Sequence, residues 1–433
     1  MSECVFGYNL RSEEVSHLEE LFDRFPEVPK EVILKETLLV NGIKFTDKAL
    51  EKGGEYQEKA YYLFTFDKDE PSIVRKRARV IPQEISVWGG PWGLRRTVIQ
   101  GRHSERSPFL VDVEDERTVL RVGESRLADV SFAPKPQYYG SLLTSGLKVE
   151  EVAPAIYWGE TVDVTVFRVC EYWGKEQCKF CDINENFKWW GDLRSGLGTK
   201  VNPELVAEAV YIAFKSPNTK RYLITGGAMR NQLEESQFYL NYVRRTEELL
   251  AGRLPLRLNV QAVPTNILSK FYEAGVDYYH PNIEVWDSKL FSMICPGKDR
   301  VVGRDEWIRR TIDSVKLFGV GNVSPNFVAG VEAVNAEGLP RRFEKIDEAL
   351  RSTAEGLDFL MSREVVPKFD TWAPEPGSIL GRLGAKPPSV EYYVKLYLKY
   401  HEIRKRYGLP YPGGLGEGGP GVSKVPASGF MDM

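Results

Sequence analysis

The 433-residue chain reads as an α/β protein built on a partial (β/α)6 barrel of the TIM type, with an N-terminal α+β module ahead of it. Two patterns predict this. From residue 161 onward, short apolar runs alternate with longer amphipathic ones, the pattern of a parallel sheet covered by helices. Before residue 150 the texture changes to short alternating segments, turn residues and one amphipathic helix. A third observation ties chemistry to the first barrel strand. Three of the five cysteines, Cys170, Cys178 and Cys181, crowd the segment directly after it.

The first strand spans 161 to 169, with Val162, Val164 and Val166 alternating and Val169 next to Cys170. Asn202 as cap and Pro203 at the first helical position open the helix after the cysteine loop. Arg221 to Thr225 is the second strand, closed by Gly226 and Gly227 before a helical run from 232 to 251. Pro255 precedes the third strand, Leu256 to Gln261, and a helix near 266 to 273 ends at Gly275. The fourth strand is expected near 276 to 286, with an amphipathic helix at 304 to 317. The fifth runs from Asn326 to Glu332, ahead of a helix from about 343 to 362. Val365 to Trp372 is the sixth strand and Val390 to Tyr407 the last helix. Six such right-handed repeats read as a three-quarter barrel.

In the first 150 residues, Val15, Leu18, Phe22 and Phe25 mark one face of a helix over 13 to 25. A strand is expected at Tyr61 to Phe66. Phe109 to Val113 and Thr118 to Val122 form a hairpin around the acidic turn Glu114 to Glu116. Pro134 and Pro136 mark a boundary or linker. The expected division is a module over 1–150, the barrel over 151–407 and a tail over 408–433. The tail contains YPGGLGEGGPGVSKVPASG, too rich in Gly and Pro for a packed element. Disorder is expected there, with a lid over the active site as the alternative.

A net charge of -3 and a pI near 6.0 argue against a general polyanion binder, so nucleic acid is not an expected partner. The basic run Arg75, Lys76, Arg77, Arg79 reads as a solvated face or strand edge. No stretch approaches the roughly 20 apolar residues of a membrane span, and the N-terminus lacks the apolar core of a signal peptide. A cytoplasmic protein is expected. Cys4 and Cys295 stand alone, which is not a secreted disulfide framework, and a reduced compartment suits thiolate ligation.

The cysteines follow the spacing Cys-x7-Cys-x2-Cys, with Phe180 directly before the last thiol. Thiolates select soft metals such as zinc or iron-sulfur clusters, and three of them leave one position without a protein ligand. A structural zinc knuckle competes with this reading, yet it needs a fourth ligand and no second Cys-x2-Cys exists in the chain. Unrelated buried cysteines are the third possibility. At this loop the sequence resembles the radical SAM superfamily, whose members hold a [4Fe-4S] cluster by three cysteines and leave the fourth iron to S-adenosylmethionine. The seven-residue first gap departs from the common three.

The resemblance implies a single cluster on Cys170, Cys178 and Cys181, reductive cleavage of S-adenosylmethionine, and an external one-electron donor such as a flavodoxin or ferredoxin. Polar groups and glycines at the carboxyl ends of the strands are then candidates for holding that cofactor. Phe180 accompanies the cluster loop. Gly226 and Gly227 let a ligand approach bare backbone, although Ala228 stands where the family's Gly-Gly-Glu has its acid. Asn259 and Gln261 suit the carboxylate of the ligand or a hydrogen-bonded core. Glu284 matches the place where the family binds the ribose hydroxyls, a structural ion pair being the alternative. Gly330 and Glu332 lie on the strand resembling the family's adenine-contact strand. Cys295 and Lys298, in Cys295-Pro296-Gly297-Lys298, are candidate catalytic residues at the barrel mouth, as hydrogen-atom donor or carrier, and a lone cysteine is also common as inert core.

Cysteine count prunes the options, because Cys4 and Cys295 are too few for a second all-cysteine cluster. Neither His17 nor His103 has a glycine three residues later, so the usual cobalamin-binding motif is missing. The expected activity is rearrangement, fragmentation or coupling of a small-molecule substrate, with Asp370, Trp372 and the Pro374 to Gly377 loop on the substrate side. Transfer of an aminocarboxypropyl or methyl group, peptide modification, and a zinc-binding barrel without catalysis remain as alternatives.

Overall fold

The computed structural model describes residues 12–58, 81–190 and 197–433, and of residues 189 and 190 the backbone alone. The strand expected at Tyr61 to Phe66, the basic run Arg75 to Arg79, and Cys4 lie outside the described residues.

The N-terminal part opens with the expected helix, Glu13–Arg24, capped by Ser12 Oγ, which accepts from Val15 N; Val15, Leu18, Leu21 and Phe22 are buried. A second helix, Lys30–Asn41, has most of its surface inside the protein. A sheet follows, made of β1 (Lys44–Phe45), β2 (Glu84–Gly89), β3 (Leu94–Gln100), β4 (Leu110–Glu114), β5 (Arg117–Val122) and β6 (Ser125–Phe132). Their order across the sheet is β1-β4-β5-β6-β2-β3. The hairpin β4–β5 turns at Asp115 and Glu116, both with positive φ, which matches the right-handed twist of the flanking strands.

The barrel begins at β7 (Ala155–Ile156), which pairs antiparallel with β8 (Thr161–Phe167). β8, β9 (Arg221–Gly226), β10 (Leu256–Asn259) and β11 (Val276–Tyr279) then run parallel in chain order. β12 (Asn326–Ala329) and β13 (Lys368–Thr371) continue the series as a parallel pair. They join β11 through Tyr279 N to Asn322 O at 2.9 Å and Glu284 N to Asn326 O at 2.9 Å. Six parallel strands in sequence order thus form a partial barrel, as the alternation predicts. The fourth strand is shorter than expected. Pro281 has no N–H to give, and Glu284 sits in the left-handed region at φ 71, so the chain leaves regular pairing after Tyr279. The fifth strand also stops early, at Gly330, whose φ of 99 starts a turn over Val331–Ala333.

Side chains alternate in and out of the barrel, so register decides what lines its lumen. Arg257 lies beside Leu223, and Asn259 beside Thr225 one layer nearer the carboxyl ends. On the other side Asn326 pairs with Lys368, and Val328 with Asp370. The apolar complement, including Val162, Val164, Val166, Leu256 and Leu258, faces the covering helices and is fully buried.

Between β8 and β13 the barrel is open, and this seam is filled by the rest of the chain. Glu84 on β2 accepts from Tyr157 N at 2.7 Å, just past β7. Arg102, after β3, donates to Thr371 O at 2.7 Å. The C-terminal segment forms a rung between the two sides: Thr371 N donates to Ala427 O at 3.0 Å and Gln100 N to Pro426 O at 3.1 Å. The tail is therefore an ordered part of the core, contrary to the expected disorder. Phe430 and Met431 are fully buried, and Asp432 pairs with Lys35 at 2.8 Å, both side chains with no exposure. The reason lies in the glycines. A Cβ at Gly413 would stand 2.6 Å from the Tyr278 ring, and one at Gly414 3.0 Å from Arg257 Cδ. Here glycine serves close approach of backbone to side chains rather than flexibility.

Candidate functional site

The cysteine loop leaves β8 at Phe167 and is pinned at both ends of its arc. Cys170 N donates to Asn184 Oδ1 at 2.8 Å, and Asn184 Nδ2 returns a bond to Cys170 O at 3.1 Å. Glu171 N donates to Ala228 O at 2.8 Å, and Ala228 N reaches Cys170 Sγ at 3.4 Å. Farther on, Lys179 N donates to Ile294 O at 2.8 Å. Gln177 Nε2 holds Cys181 O at 2.7 Å. Gly227 allows the contact between this loop and β9, since a Cβ there would lie 1.8 Å from Val169 O.

Cys170, Cys178 and Cys181 line one cavity of about 140 Å³ at the carboxyl ends of the strands. Phe180, Gly226, Gly227, Asn259, Gln261, Glu284 and Lys298 line it too. All ten are candidates on strand-end position, the cysteine spacing or the family resemblance, and the fold brings them to one place. Among the described residues no three His, Cys, Asp or Glu side chains converge on a single metal ion. The three thiols line one cavity. That donor set fits a cluster, whose cysteines bind separate irons.

Electrostatics within the site are uneven. Burial pushes the Cys170 thiol up to about 12 and the Cys181 thiol well above its usual value. Cys178 is held below its usual value by a hydrogen bond from Cys295 and by the nearby Lys298 ammonium, against its burial. Lys298 donates to Glu284 Oε1 at 2.5 Å and to Asn282 O at 2.8 Å. Burial lowers the Lys298 pKa, but Glu284 and the thiols outweigh it and keep the ammonium charged.

Gln261 is satisfied by protein: its Oε1 accepts from Tyr172 Oη at 2.5 Å, and its Nε2 donates to Met229 O at 3.0 Å and Glu235 Oε2 at 2.6 Å. Burial raises the Glu235 carboxyl to about 7. Asn259 differs, for its Nδ2 reaches Thr225 Oγ1 at 3.2 Å while its buried Oδ1 has no partner.

Three expected residues stand outside this cavity. Gly330 ends β12 and turns the chain, so Glu332 points to the covering helices, where its carboxylate accepts from Thr353 Oγ1 at 2.9 Å, from Gly330 N at 2.9 Å and from Tyr392 Oη. A Cβ on Gly330 would meet Tyr393 Oη at 2.5 Å, so the missing side chain admits a tyrosine from helix Val390–Arg406. Cys295 is fully buried in the apolar core, behind Cys178 rather than on the cavity surface.

A second cavity, of about 160 Å³, fills the lumen below the first. Phe180, Asn259, Asn282 and Glu284 line both, so they form a shared wall. Asp370 and Trp372 line the lumen cavity, together with Arg257, Asn326 and Lys368 from the strands, Gln83, Glu84 and Gln100 from the N-terminal part, and Pro426 and Ala427 from the tail. Arg257 and Lys368 carry a signal that sequence reading passed over. Each is a cation at an inward position of a short strand, Leu-Arg-Leu-Asn and Lys-Phe-Asp-Thr, where charge is costly unless it is used.

No family model matches the chain. It is 26% identical over 151 residues to the bacteriochlorophyllide c C-7(1)-hydroxylase of Chlorobaculum limnaeum, a match covering 33% of this chain and 32% of that protein. The match thus spans about a third of the length of that curated relative. Among solved structures, methylornithine synthase is similar with a TM-score of 0.40 at 15% identity, covering 59% of this chain and 72% of that one. A radical SAM methyltransferase from Sphaerobacter thermophilus has a TM-score of 0.37 at 13% identity, covering 70% and 76%. Coproporphyrinogen III oxidase from Escherichia coli, described as a radical SAM enzyme, has a TM-score of 0.31 at 12% identity, covering 44% and 41%. The chain has the two features that define the radical SAM resemblance, a three-cysteine loop after the first barrel strand and a parallel partial barrel. No helix among the described residues is long and apolar enough to cross a membrane.

Proposed function

We propose that this protein is a cytoplasmic radical SAM enzyme with a single [4Fe-4S] cluster, acting on a small molecule held in the barrel lumen. Cys170, Cys178 and Cys181 would hold the cluster, and S-adenosylmethionine would lie along Gly226, Gly227, Asn259 and Glu284. When bound and reduced by a one-electron donor such as a flavodoxin or ferredoxin, that pair supplies a carbon-centred radical able to take hydrogen from an unactivated carbon. The chain's own contribution is placement. Bare backbone at Gly226 and Gly227 leaves room for the ligand, and the unpartnered Asn259 Oδ1 offers an acceptor. Glu284, paired with Lys298, offers a carboxylate suited to ribose hydroxyls.

One observation carries this reading. The three thiols and the strand-end polar groups share a cavity that touches the lumen chamber across Phe180, Asn259, Asn282 and Glu284. That shared wall would set a cofactor held in the first cavity directly against a substrate held in the second. The relative's name specifies hydroxylation of a bacteriochlorophyllide; the lumen cavity here, about 160 Å³, suits rearrangement, fragmentation or coupling of a smaller molecule.

Anaerobic reconstitution with iron and sulfide, then chromatography for 5'-deoxyadenosine after adding S-adenosylmethionine and a strong reductant, tests it. Product from wild type and none from Cys178→Ala supports the reading. Methylthioadenosine from a loaded cluster would instead indicate aminocarboxypropyl transfer. Retention of zinc without iron would sink it in favour of a non-catalytic zinc-binding barrel.

A further inference from the structure

The deep end of the lumen cavity is built from one inward layer of the strands: Arg257 on β10, Asn326 on β12 and Lys368 on β13. Lys368 is 7% exposed, and among the described residues no hydrogen bond or ion pair reaches its ammonium. The neighbouring Asp370 carboxylate accepts from Asn326 Nδ2 at 2.9 Å. Arg257, 3% exposed, donates through Nη1 to Gly414 O at 3.2 Å and lies 5.2 Å from the centre of the Tyr157 ring. Its Nε has no partner. Trp372 Nε1, on the same chamber, is a third buried donor left unpaired.

Buried cations are ordinarily paired, because an uncompensated charge in a low-dielectric site costs several kcal/mol. Burial pushes Lys368 down to about 8, with the Arg257 charge in the same direction and the Asp370 and Glu284 carboxylates opposing it without reaching a hydrogen bond. The fold nonetheless keeps both cations at one end of the chamber, and although Glu84, Glu284, Asp370 and Glu375 also line it, none of these carboxylates forms an ion pair with Lys368 or Arg257. A missing acceptor that belongs to a ligand accounts for this.

We propose that the substrate of this chamber carries an anionic oxygen group, a carboxylate or a phosphate, docked at the deep end between Lys368 and Arg257. Docked there, the remainder of the molecule extends toward Asn259, Asn282 and Glu284, the wall shared with the cysteine cavity. A charge-assisted contact to a lysine point charge suits either oxyanion. The role as a substrate site rests on the radical SAM reading above, whereas anion binding itself needs no cluster.

The test uses the full chain, reconstituted anaerobically, with calorimetric titration of succinate and of glycerol phosphate as probes. Wild type is expected to bind at least one saturably, and Lys368→Met to weaken that binding by about tenfold or more. Affinity for S-adenosylmethionine is expected to stay unchanged in Lys368→Met, because Lys368 does not line the cysteine cavity. Preference for succinate identifies a carboxylate, and preference for glycerol phosphate a phosphate ester. The melting midpoint of Lys368→Met is expected at or above that of wild type, since an unpaired buried charge has been removed. No saturable binding of either probe by wild type, equal affinity in the variant, or a lowered melting midpoint each overturns the proposal. Anion binding without iron retention would keep the anion site and sink the radical SAM reading instead.

Discussion

Lys298 and Glu284 meet at 2.5 Å where the two cavities touch, both nearly buried, with Glu284 held in the left-handed backbone region. Its N–H donates to Asn326 O at 2.9 Å and its carbonyl accepts from Val328 N at 3.0 Å, so the strained residue is fixed by β12. Strain of this kind persists only where the surroundings over-determine it, and it clusters at working sites. The pair does two things at once. It fixes a carboxylate at the chamber wall, and it compensates a lysine beside Cys178.

Removing one member should therefore cost more than removing both. Glu284→Gln removes the counter-charge of the buried Lys298, with an expected loss of about 3 kcal/mol, and Lys298→Met strands the carboxylate in turn. Glu284→Gln combined with Lys298→Met should recover most of that. Urea denaturation of the anaerobic protein, arranged as a double-mutant cycle, measures it; equal losses in the single and double variants would contradict the pairing. Both single variants should also bind S-adenosylmethionine more weakly.

Gly227→Ala should damage the cluster loop without disturbing the sheet. The added Cβ lands 1.8 Å from Val169 O and 2.8 Å from Cys170 Cα, backbone atoms that cannot swing aside. Overpacking of this kind costs about 1–3 kcal/mol. The cost falls on the segment carrying Cys170, so iron retained after reconstitution should drop sharply while the far-ultraviolet spectrum stays native. Full iron content in the variant would show that the loop tolerates displacement.

Glu36 gives a pH dependence with a definite sign. Burial raises its carboxyl from 4.5 to about 7 in the folded protein, despite bonds from Thr371 Oγ1 at 2.8 Å and Gly429 N at 2.6 Å. Between those values the unfolded chain has released the proton and the folded chain still holds it, so stability falls as pH rises. The contribution is fully present below about 4.5 and lost once pH passes about 7. Glu36→Gln should gain on wild type across this window, from nothing near the bottom to roughly 3 kcal/mol above it. Parallel denaturation curves over the same pH range, with no change in the difference, would rule this out.

Strand positions were legible in the sequence because period-two apolar runs bounded by Gly and Pro leave little else possible, as at Thr161–Phe167 and Arg221–Gly226. The cysteine cavity was legible because its residues sit at strand ends, where register and chain order decide who meets. Gly330 and Glu332 lie outside the cysteine cavity for a local reason: a positive φ at Gly330 redirects the chain, whereas a glycine in a strand pattern reads as continuing it. Arg257 and Lys368 were not legible because a single charge in a four-residue strand looks like an edge, and only burial inside the barrel makes it costly. The N-terminal contribution from Glu84 and Gln100 was invisible, since nothing local tells two strands that they close another sheet's seam.

The tail was misread most completely, and it supports the last prediction. Composition argued for disorder, yet Lys35 and Asp432 form a pair with no solvent exposure, and Thr97 Oγ1 adds a bond to Asp432 Oδ1 at 2.7 Å. Lys35 Nζ also donates to Val425 O at 2.5 Å, so the tail provides both its acceptors. Deleting residues 425–433 would leave that ammonium buried and unpaired, unseat the rung between Gln100 and Thr371, and open one wall of the lumen cavity. The expected loss for Asp432→Ala alone is about 3–5 kcal/mol, the cost of breaking a buried pair from one side. Lys35→Met with Asp432→Leu should restore much of it, because well-packed apolar replacements of both partners are often neutral. Melting curves of the two variants decide the matter, and limited proteolysis gives an independent readout: wild type should resist cleavage after residue 408, and Asp432→Ala should be trimmed there first.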